Sequence, residues 1–428
     1  MKNLLNHAFN GTMRVPGDKS ITHRSLMFGA LANGRTVIKL PLRSEDTLRT
    51  IECMRALGTK ITEKEDEWVV ESGGASSLKS PHTHLYTGNS GTTTRLITGL
   101  IAGLGLYAEI SGDASINNRP MDRVVTPLSE MGADIKLKES RYPPVVIHPS
   151  VLSPISYHMP VASAQVKSSI LLAGLNTWGT TEVIESSPSR NHSEIMMKQF
   201  GAEIDAGEGR ATVTGGKDLT PAEVIVPGDI SSAAFPIALA VLKKGSSITV
   251  ENVSLNTTRS GILDVLKMMG ANIEIEELPG EGEAIGNITA SYTPGLKGFN
   301  ISGDIIPRLI DEIPVLAMLA AFSNEPCTVS DAGELRYKET DRIRATIDEL
   351  SKFGIEFEEK KDGFKVISST VNAIEGTTVK GYHDHRIIMM LIVLSIVTDT
   401  EIDIDDISAI DNSYPGFIDD LEPLRKDA

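Results

Sequence analysis

Cysteine is nearly absent from this chain. Cys53 and Cys327 are the only two in 428 residues and lie in no CxxC pattern, which excludes a disulfide framework and a cysteine-rich zinc site. Long hydrophobic runs are missing too. The most apolar stretch, residues 387–397, is too short to span a bilayer, and residues 1–12 lack the apolar core of a signal peptide. Positive charge is scarce: 41 Lys and Arg stand against 57 Asp and Glu, a formal net charge of -16. That balance argues against a sequence-independent grip on nucleic acid or on an anionic membrane. The expectation is a cytoplasmic protein with no nucleic-acid and no membrane partner, in which any anion site is a local cluster of cations.

What is present is a core-forming composition and a repeat. With 40% hydrophobic and 23% charged residues, the chain is long enough for two ordinary domains. A helical pattern closed by glycine and followed by an alternating run recurs at Gly58, Gly132, Gly201, Gly270 and Gly354. Glycine there suits a left-handed helix end, and the alternation suits a departing strand. The front of each unit also recurs, as a short extended segment, a polar loop and a strongly apolar helix, and six such fronts can be counted. VPGDISS at the fourth echoes VPGDKS at the first. The simplest division is two halves of three units, 17–228 and 229–428, with residues 1–16 returning to the second half and Asn10 to Val15 reading as a strand.

Helix starts that follow polar loops bind anions through free backbone N–H groups and the helix dipole. Their occupants decide whether these are ordinary caps or a site. Lys19, Ser20 and Arg24 open the first helix, with Ser20 and Arg24 on one face. Gly17 to Ser20 break the spacing of a nucleotide P-loop, so that reading is rejected. Gly88 to Thr92 form a loop that backbone amides can present to a ligand, with Asn89 and Gly91 in it, Arg95 one turn on and Arg119 beyond. Ser163, Gln165, Ser189 and Arg190 follow. LIDE sets Asp311 and Glu312 before an apolar helix, and KETDR sets Lys338 and Arg342 on one i,i+4 row with Glu339 beside them. Carboxylates among cations can transfer protons, although a lone KETDR reads equally as an exposed ion-paired helix start. His383, Asp384, His385 and Arg386 precede the last apolar helix; two histidines without a third ligand nearby give no metal site. Eight cations at equivalent loop positions in an acidic chain suggest a site for highly anionic small molecules.

VPGDKSITHR, GNSGTTTR, NNRP, SAQ, LIDE, KETDR and HDHR, in this order, resemble the 5-enolpyruvylshikimate-3-phosphate synthase family, over essentially the whole chain. The resemblance implies an α/β fold of two inside-out domains, each of three βαβαββ repeats, with the active site in the cleft between them. It implies transfer of the enolpyruvyl group of phosphoenolpyruvate to the 5-hydroxyl of shikimate 3-phosphate by a monomer that needs no metal or other cofactor. Residue by residue, Lys19, Ser20, Arg24, Ser163, Ala164, Gln165, Ser189, Arg190, Asp311 and Lys338 correspond to the shikimate 3-phosphate site. Lys19, Asn89, Gly91, Arg95, Arg119, Gln165, Arg342 and Arg386 correspond to the phosphoenolpyruvate site. Asp311 corresponds to the group that takes the hydroxyl proton, with Lys19 and Glu339 as the other proton-transfer candidates.

Three departures resemble the second branch of that family. Ala164 replaces a serine, Arg190 stands where the better-known branch has tyrosine, and Asn412-Ser413-Tyr414-Pro415 replaces a run that carries a lysine. Gly91 leaves room for the inhibitor glyphosate. The sister enzyme that uses UDP-N-acetylglucosamine carries a cysteine in a mobile glycine-rich loop, and neither Cys53 nor Cys327 matches it. An RNA 3'-phosphate cyclase fits neither the charge nor the absent nucleotide loop. A non-catalytic phosphometabolite-binding protein would not need Lys19, Asp311 and Glu339 together.

Overall fold

The computed structural model describes residues 2–207, 209–280, 282–369 and 371–426. Strand β1 (Ala8–Met13) comes first. One repeat then runs α1 (Lys19–Leu31), β2 (Asn33–Lys39), α2 (Glu45–Ala56), β3 (Lys60–Glu63) and β4 (Glu67–Gly73). A second runs β5 (Leu85–Tyr86), α3 (Gly91–Gly103), β6 (Ala108–Ser111), α4 (Asp122–Glu130), β7 (Asp134–Lys138) and β8 (Tyr142–His148). The third runs β9 (Ser156–Met159), α5 (Ala164–Leu175), β10 (Gly179–Glu185), α6 (His192–Gln199), β11 (Glu203–Gly207) and β12 (Arg210–Gly215). Strand β13 (Glu223–Ile225) pairs in parallel with β2, the place that β5 and β9 take beside β6 and β10. Three four-stranded sheets of one topology result: β13-β2-β4-β3, β5-β6-β8-β7 and β9-β10-β12-β11.

The remaining repeats begin with α7 (Ile230–Leu242), β14 (Ser247–Ser254), α8 (Gly261–Met268), β15 (Asn272–Leu278) and β16 (Ile285–Ser291). Next come β17 (Asn300–Ile301), α9 (Ile305–Leu309), α10 (Ile313–Ala320), β18 (Cys327–Val329), α11 (Arg342–Ser351), β19 (Ile355–Lys360) and β20 (Gly363–Ser369). The chain ends through β21 (Thr377–Val379), α12 (His385–Thr398), β22 (Ile402–Ile404), α13 (Phe417–Leu421) and β23 (Arg425–Lys426). Strand β1 lies parallel to β14 and completes the sheet β15-β16-β14-β1-β23. The sixth repeat is abridged: among the described residues no antiparallel pair follows β22, and β23 instead joins the edge of β1.

Two compact units follow from these pairings, Gly17–Val226 and Met1–Pro16 with Pro227–Ala428, each with its own apolar core. One helix of each repeat, α1, α3, α5, α7, α10 and α12, forms the interior. In α12 every residue from His385 to Ile396 is buried, as is every residue from Ile230 to Val241 in α7, the mark of helices surrounded on all sides. Strands such as β8 and β16 bury alternate residues, so the sheets form the outer layer. Helices α3 and α5 approach closely because Gly99 lacks a side chain; a Cβ there would lie 2.2 Å from the Ser169 carbonyl oxygen. Gly58, Gly132, Gly201, Gly270 and Gly354 all have positive φ, 103°, 101°, 77°, 73° and 80°, and end α2, α4, α6, α8 and α11. No described helix is long and apolar enough to cross a membrane.

Candidate functional site

Side-chain caps place the loop residues. Asp18, Ser90, Ser163, Asp229 and Asp384 each accept a backbone N–H in the first turn of α1, α3, α5, α7 and α12. Each cap satisfies one of the free N–H groups at that end and fixes the next residues: Lys19 and Ser20 in α1, Gly91 in α3, Ala164 and Gln165 in α5, and His385 and Arg386 in α12.

In the unit of residues 17–226, Arg24 is buried and donates from Nε to Ser193 Oγ at 2.7 Å, from Nη2 to Ser168 Oγ at 2.9 Å and from Nη1 to the Ser20 carbonyl at 3.0 Å. Lys19 is ion-paired with Asp46 of α2. Arg119 Nη2 donates to Asn89 Oδ1 at 2.8 Å and to Ser115 Oγ at 3.1 Å. Arg95 Nη1 donates to Gln165 Oε1 at 2.6 Å, and Gln165 Nε2 donates to Thr92 Oγ1 at 3.0 Å. Gly91 lies against both guanidinium groups: a Cβ added there would be 2.9 Å from Arg95 Nη1 and 3.3 Å from Arg119 Nη1. The structure thus brings Asn89, Gly91, Arg95, Arg119 and Gln165 into one cluster. Ser163 is occupied as a cap and Ser189 donates its hydroxyl to Glu185, with half-buried Arg190 beside it.

The other unit holds an ionic cluster around Asp311. Its Oδ1 accepts Lys338 Nζ at 3.1 Å and Arg342 Nη1 at 3.0 Å, and its Oδ2 lies 3.8 Å from Arg259 Nη1. Arg342 also donates to Glu339 Oε2 at 2.6 Å and to Asp384 Oδ2 at 2.8 Å. Burial alone would lower the Arg342 pKa, but Asp384, Glu339 and Asp311 hold it above the ordinary arginine value. Arg386 goes the other way, lowered by burial against the opposing pull of Asp311, Asp229 and Glu312. Its Nη1 donates to the Ser231 carbonyl at 2.8 Å, while its buried Nε has no partner among the described residues.

The spacing argument for KETDR needs correction. Lys338 follows a short 3-10 turn, Gly333–Tyr337, and Arg342 is the first residue of α11, so no helical row joins them. They meet through the shared Asp311 carboxylate. Sequence reading also missed Arg259, which bonds Glu312 at 3.2 Å and Asp229 at 3.3 Å. A signal existed: Arg119, Arg190, Arg259 and Lys338 all stand in the loops leading into the last helix of their repeats. Neither thiol is poised for attack, since burial pushes Cys53 up to about 12 and also raises Cys327. At the substituted lysine position Ser413 and Tyr414 are buried, with the Tyr414 ring edge-on to Phe417 at 5.1 Å.

Comparison with known proteins shows the family and the fold. The family model described as EPSP synthase (3-phosphoshikimate 1-carboxyvinyltransferase) matches residues 6–421. A 3-phosphoshikimate 1-carboxyvinyltransferase of Bacillus pumilus is 46% identical over 97% of each chain. One of Staphylococcus aureus is 44% identical over 97% of this chain and 96% of that protein. A solved structure of EPSP synthase from Acinetobacter baumannii superposes with a TM-score of 0.86 at 37% identity, covering 98% of this chain and 96% of that one. The enolpyruvyl transferase NikO from Streptomyces tendae shares the fold, with a TM-score of 0.79 at 18% identity over 98% of this chain and 97% of that one. The protein belongs to the EPSP synthase (3-phosphoshikimate 1-carboxyvinyltransferase) family, the enolpyruvyl transferases of the shikimate pathway.

Proposed function

We propose that the protein transfers the enolpyruvyl group of phosphoenolpyruvate to the 5-hydroxyl of shikimate 3-phosphate, forming 5-enolpyruvylshikimate 3-phosphate and releasing phosphate. The observation that carries this reading is the Asp311 cluster: a carboxylate held by Lys338, Arg342 and Arg259, with Glu339 on the same Arg342. Addition of a hydroxyl to C2 of phosphoenolpyruvate needs a base on the hydroxyl and an acid at C3. Asp311 takes the hydroxyl proton, and Lys19 and Glu339 are the other proton-transfer groups.

The cations suit substrates that carry phosphates and carboxylates, whose mutual repulsion must be offset by preorganised positive charge. Phosphoenolpyruvate binds to Lys19, Arg95, Arg119, Arg342 and Arg386, with Asn89, Gly91 and Gln165. Arg386, fixed at the first turn of α12, supplies one guanidinium for it. Shikimate 3-phosphate binds to Lys19, Ser20, Arg24, Ser163, Gln165, Ser189, Arg190, Lys338 and Asp311, with Ala164 offering only its backbone. Ala164, Arg190 and the cation-free 412–415 stretch support membership of the second branch. The absent Cβ at Gly91, between two guanidinium groups, supports binding of glyphosate in the phosphoenolpyruvate site. A cytoplasmic monomer is the form in which we expect this activity.

The test is phosphate release from phosphoenolpyruvate with either shikimate 3-phosphate or UDP-N-acetylglucosamine, in chelator and with or without glyphosate. Release with shikimate 3-phosphate alone, reduced by glyphosate in competition with phosphoenolpyruvate, is the expected result. Release with the nucleotide sugar alone would replace the substrate, release with neither would favour a binding protein, and rates indifferent to glyphosate would remove the inhibitor reading.

A further inference from the structure

Helix α5 carries a buried lysine that the roles above do not use. The Lys167 side chain is 1% exposed, and its ammonium lies 2.7 Å from Glu185 Oε2 and 2.7 Å from Glu194 Oε1. It also donates to the Ser189 carbonyl at 3.3 Å. Glu185 is the last residue of β10 and Glu194 lies in the first turn of α6, so the two carboxylates bracket the loop 186–191. The second oxygen of Glu185 accepts the Ser189 backbone N–H at 3.1 Å and the Ser189 hydroxyl. Three charges therefore tie the ends and the middle of that loop to α5.

The neighbours of this cluster have a related task. Ser168 and Ser193, adjacent in sequence to Lys167 and Glu194, sit 2.6 Å apart and hold the Arg24 guanidinium. The loop and Arg24 thus take their positions from the same two helices. Buried ions are a poor device for stability alone, because well-packed apolar residues commonly do as well or better. A second consideration is charge. The Ser189 hydroxyl has one proton, which it donates to Glu185 in a hydrogen bond, so donating to a phosphate means leaving that carboxylate. Glu185 would then face an anion, and Lys167 is the cation that offsets it.

We infer that Lys167 is a positioning residue of the shikimate 3-phosphate site: with Glu185 and Glu194 it fixes the loop carrying Ser189 and Arg190 and offsets the Glu185 charge beside the bound phosphate. The inference rests on the proposed roles of Ser189 and Arg190. Its test compares Lys167→Met with the double variant Lys167→Gln, Glu194→Gln, which keeps the net charge of the cluster and guards against loss of folding. In folded protein the KM for shikimate 3-phosphate rises about tenfold or more, while that for phosphoenolpyruvate stays within about twofold. Lys167→Arg recovers part of the loss, and calorimetric titration with shikimate 3-phosphate alone shows the same order. A lowered melting temperature with an unchanged KM for shikimate 3-phosphate would mean a purely structural role and overturn the inference. Arg190→Ala is the control: if it leaves that KM unchanged, the site assignment itself fails, whereas its loss beside unaffected Lys167 variants sinks only this inference.

Discussion

Asp311 shows how one carboxylate organises a site. Lys338, Arg342 and Arg259 converge on it, and the two arginines have a second claim on their positions: Arg342 is held by Asp384 and Glu339, and Arg259 by Asp229 and Glu312. Replacing Asp311 by asparagine keeps its shape and removes its charge and basicity, while those second contacts hold the two arginines in place. General-base catalysis contributes roughly 10²- to 10⁴-fold, so Asp311→Asn lowers kcat by at least about 100-fold with smaller changes in KM. Phosphate-release kinetics measure this, and near-normal turnover would remove Asp311 as the base.

The elements were legible to different degrees. The five helix-ending glycines and the six apolar helices stood out because they obey local rules, a positive φ at the helix end and burial on every side. Strands of two or three residues, such as β5, β17 and β23, are defined by their partners and leave no pattern in a chain read linearly. The abridged sixth repeat shows the same limit, since 3-10 turns, the short helix α13 and β23 on a distant strand stand where the described residues have no antiparallel pair. Among the candidate residues, most loop cations stand out by their position in the repeat, although reading the sequence missed Arg259. Asp46 and Lys167 do not stand out, because each lies inside a helix, where charge ordinarily reads as a solvated face.

Between elements, a polar chain joins the first turns of α1 and α3 through α2: His23 Nδ1 meets Thr50 Oγ1 at 2.7 Å, which meets Thr93 Oγ1 at 2.7 Å, which meets Ser90 Oγ at 2.7 Å. Burial, then the charges of Lys19 and Arg24, hold the His23 pKa well below the ordinary histidine value. Below about pH 6.5 the unfolded chain binds a proton here that the folded chain refuses. The contribution is therefore complete above that pH and is lost as pH falls, at about 1.4 kcal/mol per unit until the folded pKa is reached. Denaturant unfolding at pH 7 and 5.5 tests it. His23→Asn loses less stability than the unmodified protein over this interval, and identical losses would show that His23 does not titrate as its burial demands.

At the scale of the whole molecule, the chain passes between its two units at 16/17 and again at 226/227, so the units differ in how they depend on sequence continuity. Residues 17–226 contain every strand of three sheets and a separate core. The other unit takes β1, an inner strand of its largest sheet, from the far end of the chain. That segment also places Leu4, Phe9, Met13 and Val15 in the core. Burial of such side chains stabilises by about 1.5–3 kcal/mol each, so the four together rival the 5–15 kcal/mol that holds a whole domain folded. A fragment of residues 17–226 is therefore expected to fold alone and unfold cooperatively in urea, followed by circular dichroism. A fragment of residues 227–428 is expected to stay unfolded until a peptide of residues 1–16 is added. Cooperative folding of 227–428 without the peptide would show that β1 is an accessory strand and that this unit holds together from its helices α7, α10 and α12 alone.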